Sequence, residues 1–146
     1  MARDVLWSAV ADRLRDPRSY WLHTTGAGGA PHVAPVWGVE LDGVLYFYSE
    51  RRTRKARNIA ADPRVVVNLE NAEDVVIVHG RADDLGAPAE HSEVLAAFED
   101  KYSAPGDAQY LPSNDPAFDV LWALVPESAQ MWELANYEAS QRRWKA

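Results

Sequence analysis

Apolar positions recur along this chain with two periods, one near four residues and one of two. Leu6, Val10 and Leu14 repeat every four residues and predict a helix over Val5 to Leu14, which Asp16-Pro17 ends. "SYWLHTT", Ser19 to Thr25, is rich in aromatic and β-branched residues and predicts a strand. "GAGGAP" is a turn, and "HVAPVWGVEL" predicts a second strand over His32 to Leu41. Asp42-Gly43 is a strong hairpin signal between two strand-like runs, so "VLYFYS", Val44 to Ser49, is the antiparallel partner. A short helix fits Arg54 to Ala61, with Ala56, Ile59 and Ala60 as its apolar stripe and Asp62-Pro63 as its end.

The second half continues in the same way. Arg64 to Glu70 and Val75 to Leu85 predict strands, joined by a turn at Asn71 to Asp74. A helix from about Pro88 to Tyr102 carries Val94, Leu95 and Phe98 on one side. Ala104 to Pro116 predicts a loop, and "FDVLWALVP" and "SAQMWEL" two strands split near Pro126-Glu127. The tail "ANYEASQRRWKA" fits helix or coil. No repeat or linker divides the chain. Six to seven short strands, hairpin turns and about three short helices predict one mainly β domain over residues 1–146, built as an antiparallel barrel.

Composition narrows the function classes. A hydrophobic share of 47% is that of a globular chain with a core. No apolar run approaches the roughly 20 residues of a membrane-spanning helix, and no secretory signal opens the chain, so the cytoplasm is the expected location. The absence of Cys excludes disulfides, thiolate metal ligands and a thiol nucleophile. His23, His32, His79 and His91 lack metal-ligand spacing, and no metal is expected. A net charge of -7 argues against a protein that wraps nucleic acid.

Against that acidic background, "SERRTRKARN" is out of place. Arg51, Arg52, Arg54, Lys55 and Arg57 crowd the predicted start of a helix, with Thr53 as its N-cap. A helix N-terminus already carries about half a positive charge, so cations there are locally unfavourable. A bound anion resolves the conflict, because a phosphate would meet free backbone N–H groups, a hydroxyl and several cations together. The competing reading is a solvated basic helix paired with carboxylates such as Asp62 and Glu50.

The stretch "PHVAPVWGVELDGVLYFYSERRTRKARNIAADPRVVVNLE", followed by "DVVIVHGRA", resembles the pyridoxamine-phosphate-oxidase-like split β-barrel superfamily and its deazaflavin-dependent branch. The resemblance spans roughly residues 19 to 86 and weakens beyond. It implies that Thr53, Arg54 and Lys55 grip a cofactor phosphate. It places Tyr48 and Ser49 at a strand end facing the cofactor, and Pro35, Val36 and Trp37 along the edge of its ring. "Lys55-Ala56-Arg57-Asn58-Ile59" and the late Arg143-Trp144 resemble the deazaflavin branch, whereas the arginine and terminal motifs of the vitamin B6 oxidases are missing. The resemblance therefore implies coenzyme F-420, with FMN as the alternative, and a homodimer with cofactor sites at its interface. It implies hydride transfer between the reduced cofactor and an unsaturated small molecule. No residue stands out as catalytic. Two other classes remain open on sequence: a non-catalytic cofactor carrier or sensor, and a polyanion-binding module. His23 and His79 lie within strand patterns and are expected to line the core, as are Trp21, Trp122 and Trp132.

Overall fold

The computed structural model describes residues 2–146. Among these residues, nine strands and four α-helices follow in chain order. They are β1 (Arg3–Asp4), α1 (Trp7–Arg13), β2 (Tyr20–Thr25), β3 (Pro31–Val36), β4 (Gly38–Leu41), β5 (Val44–Ser49), α2 (Arg54–Ala61), β6 (Arg64–Asn68), β7 (Asp74–Asp84), α3 (Ser92–Lys101), β8 (Val120–Glu133), α4 (Tyr137–Ser140) and β9 (Arg142–Lys145).

The strands run in the order β1-β9-β8-β7-β6-β2-β3, and β5 joins β4 to β8. β3 and β4 are one extended run broken only at Trp37. β3 pairs with β2, and β4 pairs with β5. The sheet thus closes through β2, β3/β4, β5, β8, β7 and β6, a split barrel as the sequence predicts. The single run expected over His32 to Leu41 changes partner at Trp37. Gly38 permits that crossing, because a Cβ there would lie 2.9 Å from the Tyr20 ring and 3.1 Å from the Tyr46 carbonyl oxygen. The Asp42-Gly43 turn holds both residues at positive φ, 51° and 83°, as a two-residue hairpin requires.

Alternation along the strands sorts side chains into the barrel. Tyr20 and Leu22 of β2, Val65 and Val67 of β6, Val76 and Val78 of β7, and Trp122 and Leu124 of β8 form the main core, which Ala56 and Ile59 of α2 cover. A second cluster lies outside the barrel wall, where Val94 and Phe98 of α3 pack with Tyr102 on Val39, Tyr48 and Leu121. Trp122 is a core residue as expected. Trp132 is half-buried and Trp21 is 40% exposed, because both take outward positions on their strands. His79 is also outward and exposed, and His23 is half-buried and bonded to the Asn68 side chain.

Three predicted elements differ from the structure. The last two strands are one 14-residue strand, β8, which crosses Pro126 through a bulge. His79 pairs with Ser128 and Gly80 with Pro126, so Glu127 is the extra residue. The bulge removes the demand for an N–H that proline lacks. The helix expected from Pro88 is a 3-10 turn, Pro88–Glu90, and then α3, separated by the non-helical backbone of His91. The tail is neither coil nor one helix. It is the single turn α4 and then β9, which pairs antiparallel with β8 and parallel with β1.

Candidate functional site

The groove forms where three chain segments converge. β3 ends at Val36 beside the end of β5, and the turn after β5 leads directly into α2. Thr53 closes that turn, its backbone N–H donating to the Glu50 carbonyl at 3.1 Å and its hydroxyl to the same oxygen at 2.7 Å. Thr53 is the N-cap residue, but its side chain makes no capping bond, so the first turn of α2 has no side-chain cap. The result is a groove of about 380 Å³, within the range of small-molecule sites. Pro35, Val36 and Trp37 form one wall, and Tyr48, Ser49 and Glu50 another. Thr53 and Lys55 close the helix end, and Tyr110 and Phe118 close the aromatic end.

Lys55 is half-buried, and burial holds its pKa below the ordinary lysine value, with the nearby Glu50 charge acting in the opposite sense. Ser49 is 3% exposed, and its oxygen accepts the indole N–H of Trp122 at 3.0 Å. The Tyr48 hydroxyl donates to the Tyr110 carbonyl at 2.7 Å, which ties the 103–119 segment to β5. Burial raises the Tyr48 pKa well above that of a free phenol.

Trp37 is held from behind. Its indole stacks on the Tyr102 ring, with centroids 4.2 Å apart and planes within 1°, and the Tyr110 ring meets it edge-on at 6.0 Å. The Arg18 guanidinium lies 4.9 Å from the indole centroid and pairs with buried Asp107, its closest contact being 2.6 Å. The Tyr102 hydroxyl accepts the Gly38 N–H at 2.9 Å and donates to the Arg18 carbonyl at 2.7 Å. Lys101 donates to the Gly38 carbonyl and the Tyr20 hydroxyl, both at 2.7 Å. Gly38, where β4 begins, is therefore held through both its N–H and its carbonyl.

Of the twelve residues expected at a site, seven line the groove: Pro35, Val36, Trp37, Tyr48, Ser49, Thr53 and Lys55. Arg54 and Arg57 are exposed on α2 and are absent from the groove lining. Asn58 instead donates to the Thr24 hydroxyl at 3.0 Å and fastens α2 to β2. Arg143 and Trp144 lie elsewhere in the chain. Arg143 pairs with Asp4 at 2.7 Å, and Trp144 packs on Trp7 with ring centroids 4.7 Å apart.

Two cations of the basic cluster have partners within the chain. Arg51 forms two contacts with Asp84, at 2.7 and 2.9 Å, and Arg52 meets Glu50 at 3.2 Å. Asp62 pairs with Arg64, which holds its carboxyl down at about 2. Among the described residues, neither Arg54 nor Arg57 has an ion-pair partner within 4.0 Å, and His32 Nδ1 is the one buried side-chain polar atom without a hydrogen bond. Glu50, Tyr110 and Phe118 are the groove's unforeseen lining residues, and Tyr102 and Trp122 support it from behind through Trp37 and Ser49. A Tyr within the polar, proline-rich stretch "APGDAQYLPSNDP" is a sequence signal that marks Tyr110 alone.

This small split barrel gathers a cation, hydroxyls and aromatic walls at a strand end and helix start, a lining that suits a small molecule. The chain belongs to the pyridoxamine 5'-phosphate oxidase family, whose profile matches residues 6–133. Among solved structures it is similar to the conserved hypothetical protein Rv2991 of Mycobacterium tuberculosis, at 25% identity, TM-score 0.73, and coverage of 89% of this chain and 86% of that one. It is also similar to an F420 reductase, at 24% identity, TM-score 0.64 and coverage of 81% and 94%. A heme binding protein from Mycobacterium smegmatis has the same fold, at 19% identity, TM-score 0.74 and coverage of 99% and 60%. A search of curated proteins gave no match. No helix among the described residues is long and apolar enough to cross a membrane.

Proposed function

We propose that this chain is a homodimeric oxidoreductase that transfers a hydride between reduced coenzyme F-420 and an unsaturated small molecule, with FMN as the alternative cofactor. The observation that carries the reading is the meeting of Ser49, Thr53 and Lys55 with Pro35, Val36 and Trp37 in one groove. The residues present suit a phosphorylated, planar cofactor. Lys55 supplies a cation, Ser49 a buried hydroxyl, α2 a first turn without a side-chain cap, and Trp37 and Tyr110 apolar ring walls. When bound, the cofactor ring would supply the hydride. The chain's own residues hold the phosphate, orient the ring against the β3 end and keep water from its apolar edge. The structural likeness to an F420 reductase supports the choice of F-420.

The experiment is an equilibrium titration of the purified protein with F-420 and FMN, followed by steady-state turnover of the reduced cofactor. Saturable binding with turnover on an unsaturated acceptor supports the reading. Binding without turnover across a panel of acceptors favours a carrier or sensor. Oligonucleotide binding without affinity for either cofactor favours a polyanion module.

A further inference from the structure

We propose that Trp122 is a positioning residue for the cofactor, acting through Ser49. It occupies one acceptor site of the Ser49 oxygen and thereby leaves that hydroxyl's proton directed at an acceptor oxygen on the bound molecule. The proposal rests on the functional reading above and adds a residue and a direction of hydrogen bonding to it.

Register and burial fix the pair. In the antiparallel pairing of β5 and β8, Phe47 faces Trp122 and Ser49 faces Val120. Ser49 and Trp122 are therefore diagonal neighbours, close enough for a long indole to reach across. Trp122 is 2% exposed and belongs to the main core, so its ring has no room to turn. An indole N–H only donates, and a buried one needs an acceptor. Here that acceptor is Ser49 Oγ, at 3.0 Å.

A hydroxyl carries one proton and two lone pairs. With one lone pair taken by Trp122, buried Ser49 keeps its proton and one further lone pair, and the proton has no acceptor among the described residues. The neighbouring hydroxyls differ. The Thr53 proton goes to the Glu50 carbonyl and the Tyr48 proton to the Tyr110 carbonyl. Of these three groove hydroxyls, Ser49 alone has a proton ready for a ligand without breaking a bond inside the protein. Lys55 lines the same groove, so the fitting acceptor is an anionic oxygen, for which a hydroxyl donor is strongest.

A double-mutant cycle tests the proposal, with F-420 and FMN as the probes. Dissociation constants are measured by fluorescence titration for wild type, Trp122→Phe, Ser49→Ala and the double variant. Thermal melts check that each is folded, and Trp122→Leu replaces Trp122→Phe if the latter does not fold. Ser49→Ala is expected to weaken binding about ten- to a hundredfold, the loss of a hydrogen bond to a charged group. Trp122→Phe is expected to weaken it severalfold in the wild-type background and to change nothing in the Ser49→Ala background. A Trp122→Phe loss of equal size in both backgrounds is a general packing effect and overturns this inference alone. Unchanged affinity in Ser49→Ala does the same. Failure of the wild type to bind either cofactor overturns both this inference and the functional reading.

Discussion

Lys55 and Thr53 flank the start of α2, yet they are not equal donors. Lys55 is half-buried and lines the groove, whereas the Thr53 proton already serves the Glu50 carbonyl. Lys55→Ala is therefore expected to weaken cofactor binding by about 1.5–3 kcal/mol, roughly ten- to a hundredfold, with an unchanged melting temperature. Thr53→Ala is expected to cost less, because a phosphate would have to turn the hydroxyl away from a bond it already makes. Titration of both variants checks the order, and equal affinity of Lys55→Ala and wild type would remove the phosphate assignment. Residues at this scale were legible in the sequence where their signal was local. Tyr48, Ser49, Thr53 and Lys55 fall within eight positions, so a strand end and a helix start bring them together whatever the rest of the chain does. Tyr110 and Phe118 reach the same groove, and Trp122 the Ser49 oxygen behind it, through tertiary packing, and no short-range pattern announces that.

At the scale of elements, two features carry measurable consequences. The β7–β8 pairing depends on Gly80, where a Cβ would sit 2.2 Å from the Val125 carbonyl oxygen. Gly80→Ala must move one of two central strands, and a loss of about 1–3 kcal/mol in urea unfolding is expected, the scale of overpacking in a core. A loss below about 0.5 kcal/mol would show that the bulge yields freely. The second feature is Lys101 at the end of α3, whose burial against the Tyr20 and Tyr102 rings lowers its pKa from 10.5 to about 8. Between about pH 8 and 10 the unfolded chain binds this proton more tightly than the folded one, so stability rises with pH across that window. Above it, Tyr20 and Tyr102, whose pKa values burial raises, oppose the trend. Melting temperatures at pH 8 and 10 should show the rise in wild type and a smaller one in Lys101→Met; an equal rise in both would assign the effect elsewhere. The elements themselves are legible where turn chemistry punctuates them, as at Asp42-Gly43 and Asp62-Pro63. They are not where a local breaker is overruled. Pro126 looks like a strand end, but a bulge lets β8 continue, and β9 is a strand only because β8 and β1 offer it edges.

For the whole molecule, alternation and hairpin signals sufficed to predict a barrel, whereas its closure at Trp37 depends on a change of pairing partner that no periodicity encodes. The outward face of β3, β2, β6 and β7 presents Val33 at 50% and Trp21 at 40% exposure, with half-buried Val66 and Ile77 on the far side of Trp21, and with His23, Asn68 and His79 in the same rows. That mixed face, with Trp21 and Val33 as its exposed apolar residues, is the surface on which the proposed homodimer would form, beside the Pro35 wall of the groove. Sedimentation at micromolar concentration is expected to give a dimer mass for wild type and a monomer mass for Trp21→Lys/Val33→Lys, and a monomeric wild type with full cofactor affinity would contradict the dimer. The proposed preference for F-420 over FMN rests on charge. FMN ends in one phosphate, which Lys55, Ser49 and the start of α2 can meet. F-420 continues into a tail of carboxylates, and with Arg51 and Arg52 engaged by Asp84 and Glu50, Arg54 and Arg57 are the exposed cations of α2 left to meet it. Single exposed pairs are worth about 0–1 kcal/mol and are screened over a Debye length of about 8 Å at physiological ionic strength. The most direct measurement is therefore a titration of F-420 and FMN at low and high salt, in wild type and in Arg54→Ala/Arg57→Ala. Tighter binding of F-420, falling more steeply with salt and losing its margin over FMN in the double variant, is the predicted result. Tighter binding of FMN at both salts, or a ratio unchanged in the double variant, would contradict it.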